Sequence, residues 1–239
     1  LRCPLRFYYE YVCNYRMPQP TPDDGIQPNL LGTIFHAAAQ AVYERVVSDH
    51  RGTPPPGYLE ALARRPKTGE PSPLHPYIVQ AFAKENFEPE QLPVLEASVV
   101  EMYLRILLED DAQLDELQVC ELERWHEMHL PLPEGLGASH VTIGGIMDRL
   151  DRVTHDGRRL WRIVDYKTGG DPETADSVAQ LFEVRGGKHR HYMLQTFIYA
   201  EILRRELAPD ASSIAPALYF VHRARGKNGF SPYLKMGKG

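Results

Sequence analysis

The sequence is poor in cysteine, with three among 239 residues, and it contains no uninterrupted run of 18 apolar residues. Three scattered cysteines cannot form the disulfide framework of a small secreted domain, so we expect a reducing, cytoplasmic location. The lack of a long apolar run argues against a transmembrane helix, and we expect no membrane partner. Residue 1 is Leu rather than Met, which favours a fragment of a longer protein.

The charge is moderate overall but unevenly distributed. Charged residues make up 25% of the chain and hydrophobic residues 43%, which is typical of a globular domain. The net charge is −5, yet residues 141–239 are net basic while residues 1–140 are net acidic. A basic segment favours a polyanionic partner, and an uneven but solvated surface is the alternative.

Hydrophobic periodicity predicts helices in the first half of the chain. The aromatic-rich residues 5–15 and the segment 30–47 have helical spacing, and Thr33 is the predicted N-cap of the second helix. Within that helix, His36 lies beside the apolar stripe and, considered alone, is predicted to be structural. Residues 50–115 combine prolines with helical spacing, which predicts a helical, Pro-rich insertion.

Strand patterns dominate the second half. Alternating or β-prone runs predict four strands, and a helix at about 190–207 precedes the last of them. The predicted strands are residues 117–130, 141–153, 160–169 and 217–221. We therefore expect one α/β domain over residues 1–239, with a central mixed sheet flanked by helices and a sheet core at 117–222.

Two of these strands meet at an Asp156-Gly157 turn, which is the strongest short-range hairpin signal. A two-residue turn places Asp148 directly opposite Asp165, with Cβ atoms about 4.5–5.5 Å apart on one face. Alternation adds Lys167 to that face and directs Tyr166 away from it.

The two carboxylates would repel each other, and a hard divalent cation such as Mg²⁺ would neutralise them. Such a cation activates water and stabilises charge on a phosphate, while a nearby lysine can orient the attacking water. The alternative is an exposed Asp–Lys ladder worth less than about 1 kcal/mol. Gly144 and Gly145 favour a functional site, because strand glycines often mark a close approach.

These residues resemble the PD-(D/E)XK nuclease superfamily, and most nearly its RecB/AddB-type nuclease domains. The resemblance spans residues 1–222 without the Pro-rich insertion, and it implies a restriction-endonuclease-like fold. Five ordered motifs carry it: Cys3–Tyr9, Leu31–His36, Gly145–Asp151, Val164–Gly169 and Gln195–Tyr199.

The resemblance also implies roles for individual residues. Asp148, Asp165 and the backbone carbonyl of Tyr166 would bind Mg²⁺ or Mn²⁺, joined by His36 from its helix. Lys167 would serve the catalytic step, and Gln195 and Tyr199 would contact the site or the DNA. Either Glu121 or Glu123 matches the acidic strand of the family; the sequence does not decide between them, and a structural role is expected for the matching residue.

Three further predictions concern DNA contacts, two histidines and an iron–sulfur cluster. DNA phosphates are predicted to contact six basic residues, Arg185, Lys188, Arg190, Arg223, Arg225 and Lys227. His126 and His129 are predicted to lie on the surface, without a third ligand. AddB-type domains hold an iron–sulfur cluster, but only Cys3 has a counterpart here, so we expect no cluster in this chain.

The expected function is a metal-dependent DNA nuclease, with exonuclease action favoured, that serves recombination or repair within a helicase–nuclease. DNA is the expected partner, and a helicase domain or subunit is a further candidate. A catalytically weak DNA-binding module of such a complex is one alternative. A free-standing exonuclease of phage type is the other.

Overall fold

The computed structural model describes residues 5, 8–13, 27–135, 137–170, 173–183, 190–207, 213–222, 233, 234 and 236. Its helices are α1 (Pro28–His50), α2 (Tyr58–Ala63), α3 (His75–Lys84), α4 (Val94–Asp111), α5 (Val178–Leu181) and α6 (His191–Leu207). A π-helical turn spans Tyr8–Val12 within the predicted first helix, and a 3-10 turn spans Pro89–Gln91. The strands are β1 (Glu116–Pro131), β2 (His140–His155), β3 (Arg158–Lys167) and β4 (Ile214–Phe220).

The four strands form one mixed sheet in the order β1-β2-β3-β4. The first three strands run antiparallel to their neighbours, whereas β4 pairs parallel to β3 after the chain passes through α6. Parallel neighbours require such a crossover connection. The predicted mixed sheet flanked by helices is therefore confirmed.

The register of the β2–β3 hairpin is the one that the turn predicts. His155 pairs with Arg158, and Leu150 pairs with Ile163. Asp156 and Gly157 both have positive φ values, 51° and 71°, as a two-residue type I′ turn requires. This register brings the end of β3 alongside the segment of β2 that contains Asp148.

Helix α1 begins earlier than the sequence suggests. Pro28 occupies the first helical position, where its fixed φ and missing N–H are favourable. Thr33 lies within the helix and donates its hydroxyl hydrogen to the carbonyl of Asn29, 3.2 Å away. The prediction of Thr33 as N-cap is therefore wrong, because Pro28 starts the helix one turn earlier.

The core has a larger part between α1 and one sheet face, a smaller part beneath α6, and a third cluster of Ala175, Leu181 and Met193. In the larger part, Phe35 contacts Tyr166 of β3 and Tyr103 of α4. Helices α2, α3 and α4 contribute to this same core through residues such as Leu59, Phe82 and Leu104. The smaller part joins α6 to the opposite face through Met147, Leu150, Ile163, Tyr199, Ile202 and Leu203.

A buried ion network crosses the larger core and ties β2, β3 and α4 together. The Arg162 guanidinium lies 2.8 Å from Asp111 and 2.7 Å from Asp151. Arg149 reaches the same two carboxylates at 2.8 and 3.1 Å. All four side chains are at most 4% exposed. Two arginines thus balance two aspartates out of contact with water, an arrangement that the sequence analysis did not predict.

Helix α1 joins this network through an aromatic ring. Tyr43 donates its hydroxyl hydrogen to Asp111 at 2.5 Å, and the Arg149 guanidinium stacks 4.1 Å from its ring centre. Burial alone would raise the pKa of Asp111, but the two arginines outweigh it and lower that pKa to about 2. Asp111 therefore stays ionised at physiological pH and holds both guanidinium groups.

Among the helices that the structure describes, none is long and apolar enough to cross a membrane.

Removing one charge from the buried network should destabilise the fold strongly. We expect Asp151→Ala to lower the free energy of unfolding by about 3–5 kcal/mol, since it leaves two buried guanidinium groups with one carboxylate. Arg159→Ala is the matched control, because Arg159 is 70% exposed and its ion pair with Glu116 is 3.9 Å long. That variant should lose less than about 1 kcal/mol. Urea unfolding measures both, and equal losses would contradict the assignment.

Candidate metal centre and active site

The candidate site lies where β1 and β2 bend. Leu122 pairs with Arg149 and Arg124 pairs with Met147, which places Glu123 opposite Asp148 between these two pairs. Glu123 has a φ of 46°, a left-handed conformation that is uncommon for a residue other than glycine. A register shift between Val119 and Glu121 adds a second irregularity just before it.

The bend changes which residues face each helix. Arg149 and Val153 face α1, which follows from the contact of Arg149 with Tyr43 and from the place of Val153 in the larger core. Leu150 and Met147 both pack beneath α6, although they are three residues apart. The alternation of the strand is therefore interrupted around Asp148. Bulges of this kind redirect side chains, and here they direct two carboxylates toward one point.

Helix α1 adds an imidazole to these carboxylates. His36, Glu123 and Asp148 each offer a ligand atom, and these atoms lie within 4.8 Å of one another. His36 Nδ1 lies 3.5 Å from Asp148 Oδ2. The same carboxylate oxygen accepts a 2.7 Å hydrogen bond from the backbone N–H of Tyr166, which fixes its position. This cluster decides in favour of Glu123 over Glu121 as the acidic side chain beside Asp148.

The electrostatics of the cluster favour positive charge. Burial together with the neighbouring Asp148 carboxylate raises the pKa of Glu123 to about 7. Burial would lower the pKa of His36, but Asp148, Glu123 and Asp165 outweigh it and raise that pKa. Near neutral pH the cluster therefore retains protons that a divalent cation would displace on binding.

Asp165 and Lys167 form an ion pair at the end of β3. Asp165 is 3% exposed, and Lys167 Nζ lies 2.5 Å from its Oδ2 atom. Burial raises the pKa of Asp165, and the lysine partly opposes that effect. The Lys167 ammonium also lies 4.9 Å from the ring centre of Tyr192 on α6, an aromatic contact that the sequence analysis did not assign to the site.

The side chain of Tyr166 points away from the site, as the strand alternation predicts, while its backbone faces the site. The ring is buried in the larger core against Phe35 and His36. The carbonyl of Lys167 accepts a bond from Val221 on the β4 side, whereas the Tyr166 N–H points to Asp148 on the β2 side. Because N–H and C=O of one strand residue point to the same neighbour, the Tyr166 carbonyl also faces the β2 side.

Gln195 and Tyr199 form a pair on α6 that lies against β2. Gln195 Nε2 donates a 3.0 Å hydrogen bond to the Tyr199 hydroxyl. A Cβ atom on Gly145 would lie only 2.6 Å from that hydroxyl oxygen, so the glycine permits this close approach. Burial raises the pKa of Tyr199 while its Gln195 bond lowers it, and the Asp165 and Asp148 carboxylates raise it further. The phenol thus keeps its proton at neutral pH.

Glu121 and His126 belong to a different cluster. Both ring nitrogens of His126 lie 2.7 Å from carboxylate oxygens, one of Glu121 and one of Glu206 on α6. His126 is 6% exposed, so the prediction of a surface position for it is wrong. Its alternating strand position faces α6, and Glu206 from that helix covers it. His129 is exposed as predicted.

The predicted DNA-contacting residues fall almost entirely outside the described residues: Arg185, Lys188, Arg223, Arg225 and Lys227. Arg190 is described and half-buried. Its guanidinium donates hydrogen bonds to the carbonyls of Thr174, at 2.6 Å, and Gln180, at 2.7 Å. These bonds brace the segment before α6, and a DNA contact for Arg190 stays a prediction.

Comparison with known proteins identifies the family of the chain. The family model of the PD-(D/E)XK nuclease superfamily matches residues 1–235, which is nearly the whole chain. No curated protein matches the sequence.

The protonation of the cluster predicts a pH-dependent response to metal. The pKa of Glu123, about 7, is above its ordinary value of 4.5. The proton on Glu123 therefore contributes stability that is fully present below pH 4.5 and is lost as the pH rises through 7. The raised pKa of His36 acts in the same direction. We expect millimolar Mn²⁺ to raise the Tm by roughly 5 °C at pH 8 and by much less at pH 5.5.

The control for this measurement is Glu123→Gln, whose amide carries no titrating proton. Its Mn²⁺-induced change in Tm should be smaller at pH 8 and should depend less on pH. An equal Mn²⁺ response at both pH values in the unmodified protein would contradict the assigned cluster.

Proposed function

Because the chain belongs to the PD-(D/E)XK nuclease superfamily, we propose that it is a Mg²⁺- or Mn²⁺-dependent deoxyribonuclease that hydrolyses phosphodiester bonds with water as the nucleophile. The observation that carries this proposal is the convergence of His36, Glu123 and Asp148 beside the Asp165–Lys167 pair. Ordinary ion pairing does not explain why two carboxylates approach one imidazole while, among the described residues, no arginine forms an ion pair with either of them.

The donor set suits a divalent metal ion. Carboxylate oxygens are the ligands that Mg²⁺ and Mn²⁺ prefer, and burial together with repulsion from Asp148 raises the pKa of Glu123, a cost that a bound cation would relieve. Asp148, Glu123 and His36 would hold the ion, with Asp165 and the Tyr166 carbonyl on the same side of the sheet end. When bound, such an ion lowers the pKa of water and stabilises charge on the phosphate.

The remaining groups position the reactants. Lys167 is held at the edge of the cluster by Asp165, so its ammonium can orient the attacking water or bind the oxygen on which charge develops. Tyr199 keeps its proton at neutral pH and is oriented by Gln195, which makes its hydroxyl a neutral donor for a phosphate oxygen. His36 retains its place in α1 by packing against Phe35 and Tyr166.

The proposal extends to the biological setting of the nuclease. The five ordered motifs are most similar to RecB/AddB-type nuclease domains, which supports exonuclease action in DNA recombination or repair. A helicase domain or subunit and a cytoplasmic location accompany that proposal. A phage-type exonuclease would use the same residues in a different setting.

Removing the proposed catalytic groups should abolish cleavage without unfolding the protein. We expect Lys167→Ala and Asp148→Ala to lower metal-dependent cleavage of end-labelled DNA at least about 100-fold, as loss of one transition-state donor typically does. Lys67→Ala, at an exposed turn, is the control and should cleave normally. Linear and covalently closed circular substrates separate exonuclease from endonuclease action. Folded wild-type protein that binds DNA but never cleaves it would instead favour the binding-module alternative.

Two neighbouring glutamates provide a matched pair of variants. Glu123→Gln should reduce cleavage strongly, because Glu123 belongs to the metal cluster. Glu121→Gln preserves a hydrogen-bonding group beside His126 and Arg124 and should retain most activity. Cleavage rates at saturating Mg²⁺, together with circular dichroism spectra, test this contrast. A larger loss in the Glu121 variant would show that the acidic ligand has been misassigned.

A further inference from the structure

The middle of the β1–β2 hairpin exposes a large aromatic side chain beside the candidate site. Trp125 is 57% exposed, and its cross-strand partner Ile146 is 50% exposed. Burying aromatic surface is strongly favourable, so an indole left largely in water next to a second apolar side chain indicates a binding surface. We call Trp125 and Ile146 the hairpin platform.

The platform adjoins the metal cluster along both strands. Trp125 is two residues from Glu123 on β1, and Ile146 is two residues from Asp148 on β2. Two residues of strand span about 7 Å, which is close to the distance between successive nucleotides of an extended strand. A polynucleotide with one phosphate at the cluster would therefore have a neighbouring base within reach of the indole.

The platform and α6 lie on opposite faces of the hairpin. Gly145 faces α6, where Tyr199 lies against it, whereas Gly144 faces the indole of Trp125. Successive strand residues point to opposite faces, which explains why two adjacent glycines occur here. Trp125 is 57% exposed, so solvent reaches more than half of its surface.

The indole is held in place although it is exposed. Its Nε1 donates a 2.9 Å hydrogen bond to Glu127 Oε2. A Cβ atom on Gly144 would lie 2.9 Å from the indole Cζ2, so the ring rests on the bare glycine backbone. A ring fixed before binding loses little conformational entropy when a ligand stacks on it. The Glu127 carboxylate beside it repels phosphate, which favours a nucleobase as the occupant.

We propose that Trp125 stacks on an unpaired base of the nucleic acid strand whose phosphate enters the metal cluster, with Ile146 extending the surface. This inference rests on the proposed nuclease function. A base inside a duplex is stacked on both faces, whereas the bases of a single strand or a frayed end can each turn a free face to the indole. The platform therefore predicts a preference for single-stranded substrate and single-stranded ends over blunt duplex.

The chain contains two tryptophans, which makes the proposal directly measurable. Trp161 lies on β3 near Arg152, six residues from Lys167 and thus about 20 Å along the strand. In the full chain with Trp161→Phe, Trp125 is the one remaining tryptophan and can be excited selectively over the tyrosines. A dye-labelled oligothymidylate is titrated in EDTA, so that binding occurs without cleavage. Dye anisotropy then reports binding, while tryptophan emission reports stacking on Trp125.

We expect the single strand to quench Trp125 emission and a blunt duplex to quench it much less. Trp125→Ala should weaken oligothymidylate binding roughly 5- to 150-fold, the range expected for loss of one stacked base. Trp125→Phe should restore much of the affinity, because a phenyl ring also stacks. Trp161→Phe alone is the matched control and should bind like the unmodified protein.

Two results would overturn the inference. Only the second would also overturn the nuclease proposal. If the oligonucleotide binds but neither Trp125 emission nor the affinity of Trp125→Ala changes, stacking on the platform is wrong while the nuclease proposal stands. A platform that serves a protein partner would give this result. If dye anisotropy detects no binding of any DNA in EDTA and no DNA is cleaved when Mg²⁺ or Mn²⁺ is supplied, the nuclease proposal fails as well.

Discussion

The buried pairing of Arg149 and Arg162 with Asp111 and Asp151 is the interaction on which the geometry of the site depends. These charges have no solvent to replace a lost partner, so a shift of β2 against β3 by one residue would be very costly. Asp148 directly precedes Arg149 in the chain. The network that fixes the arginine thereby fixes the carboxylate beside it, and Asp111 couples α4 to the same point.

The carboxylates of the candidate site reduce the stability that the buried ion network provides. Glu123, Asp148 and Asp165 repel one another, and protons on Glu123 and His36 together with the Lys167 ammonium reduce that repulsion. A fold held by a rigid, neutralised ion network can tolerate a neighbouring cluster whose charges are not balanced. This imbalance provides affinity for a cation, and the exposed Trp125 lies two residues from Glu123.

Sequence reasoning succeeded where a single local rule controls the outcome. The Asp156-Gly157 turn determines which residues pair, so the β2–β3 register was predictable as far as the Arg149–Val164 pair. The choice of Glu123 over Glu121 was not, because it depends on a register shift and a left-handed residue that alternation patterns do not show. Arg149 and Asp151 resemble solvated charges in a sequence, and only their tertiary partners explain their burial.

The most direct test of the account is the position of a bound Mn²⁺ ion, located by anomalous scattering from crystals grown with Mn²⁺. The account predicts a peak whose nearest protein atoms include a carboxylate oxygen of Asp148, within about 2.5 Å, with Glu123 and His36 around it. A peak elsewhere on the protein would contradict it. So would the absence of a peak at this cluster when Mn²⁺ saturates cleavage in solution.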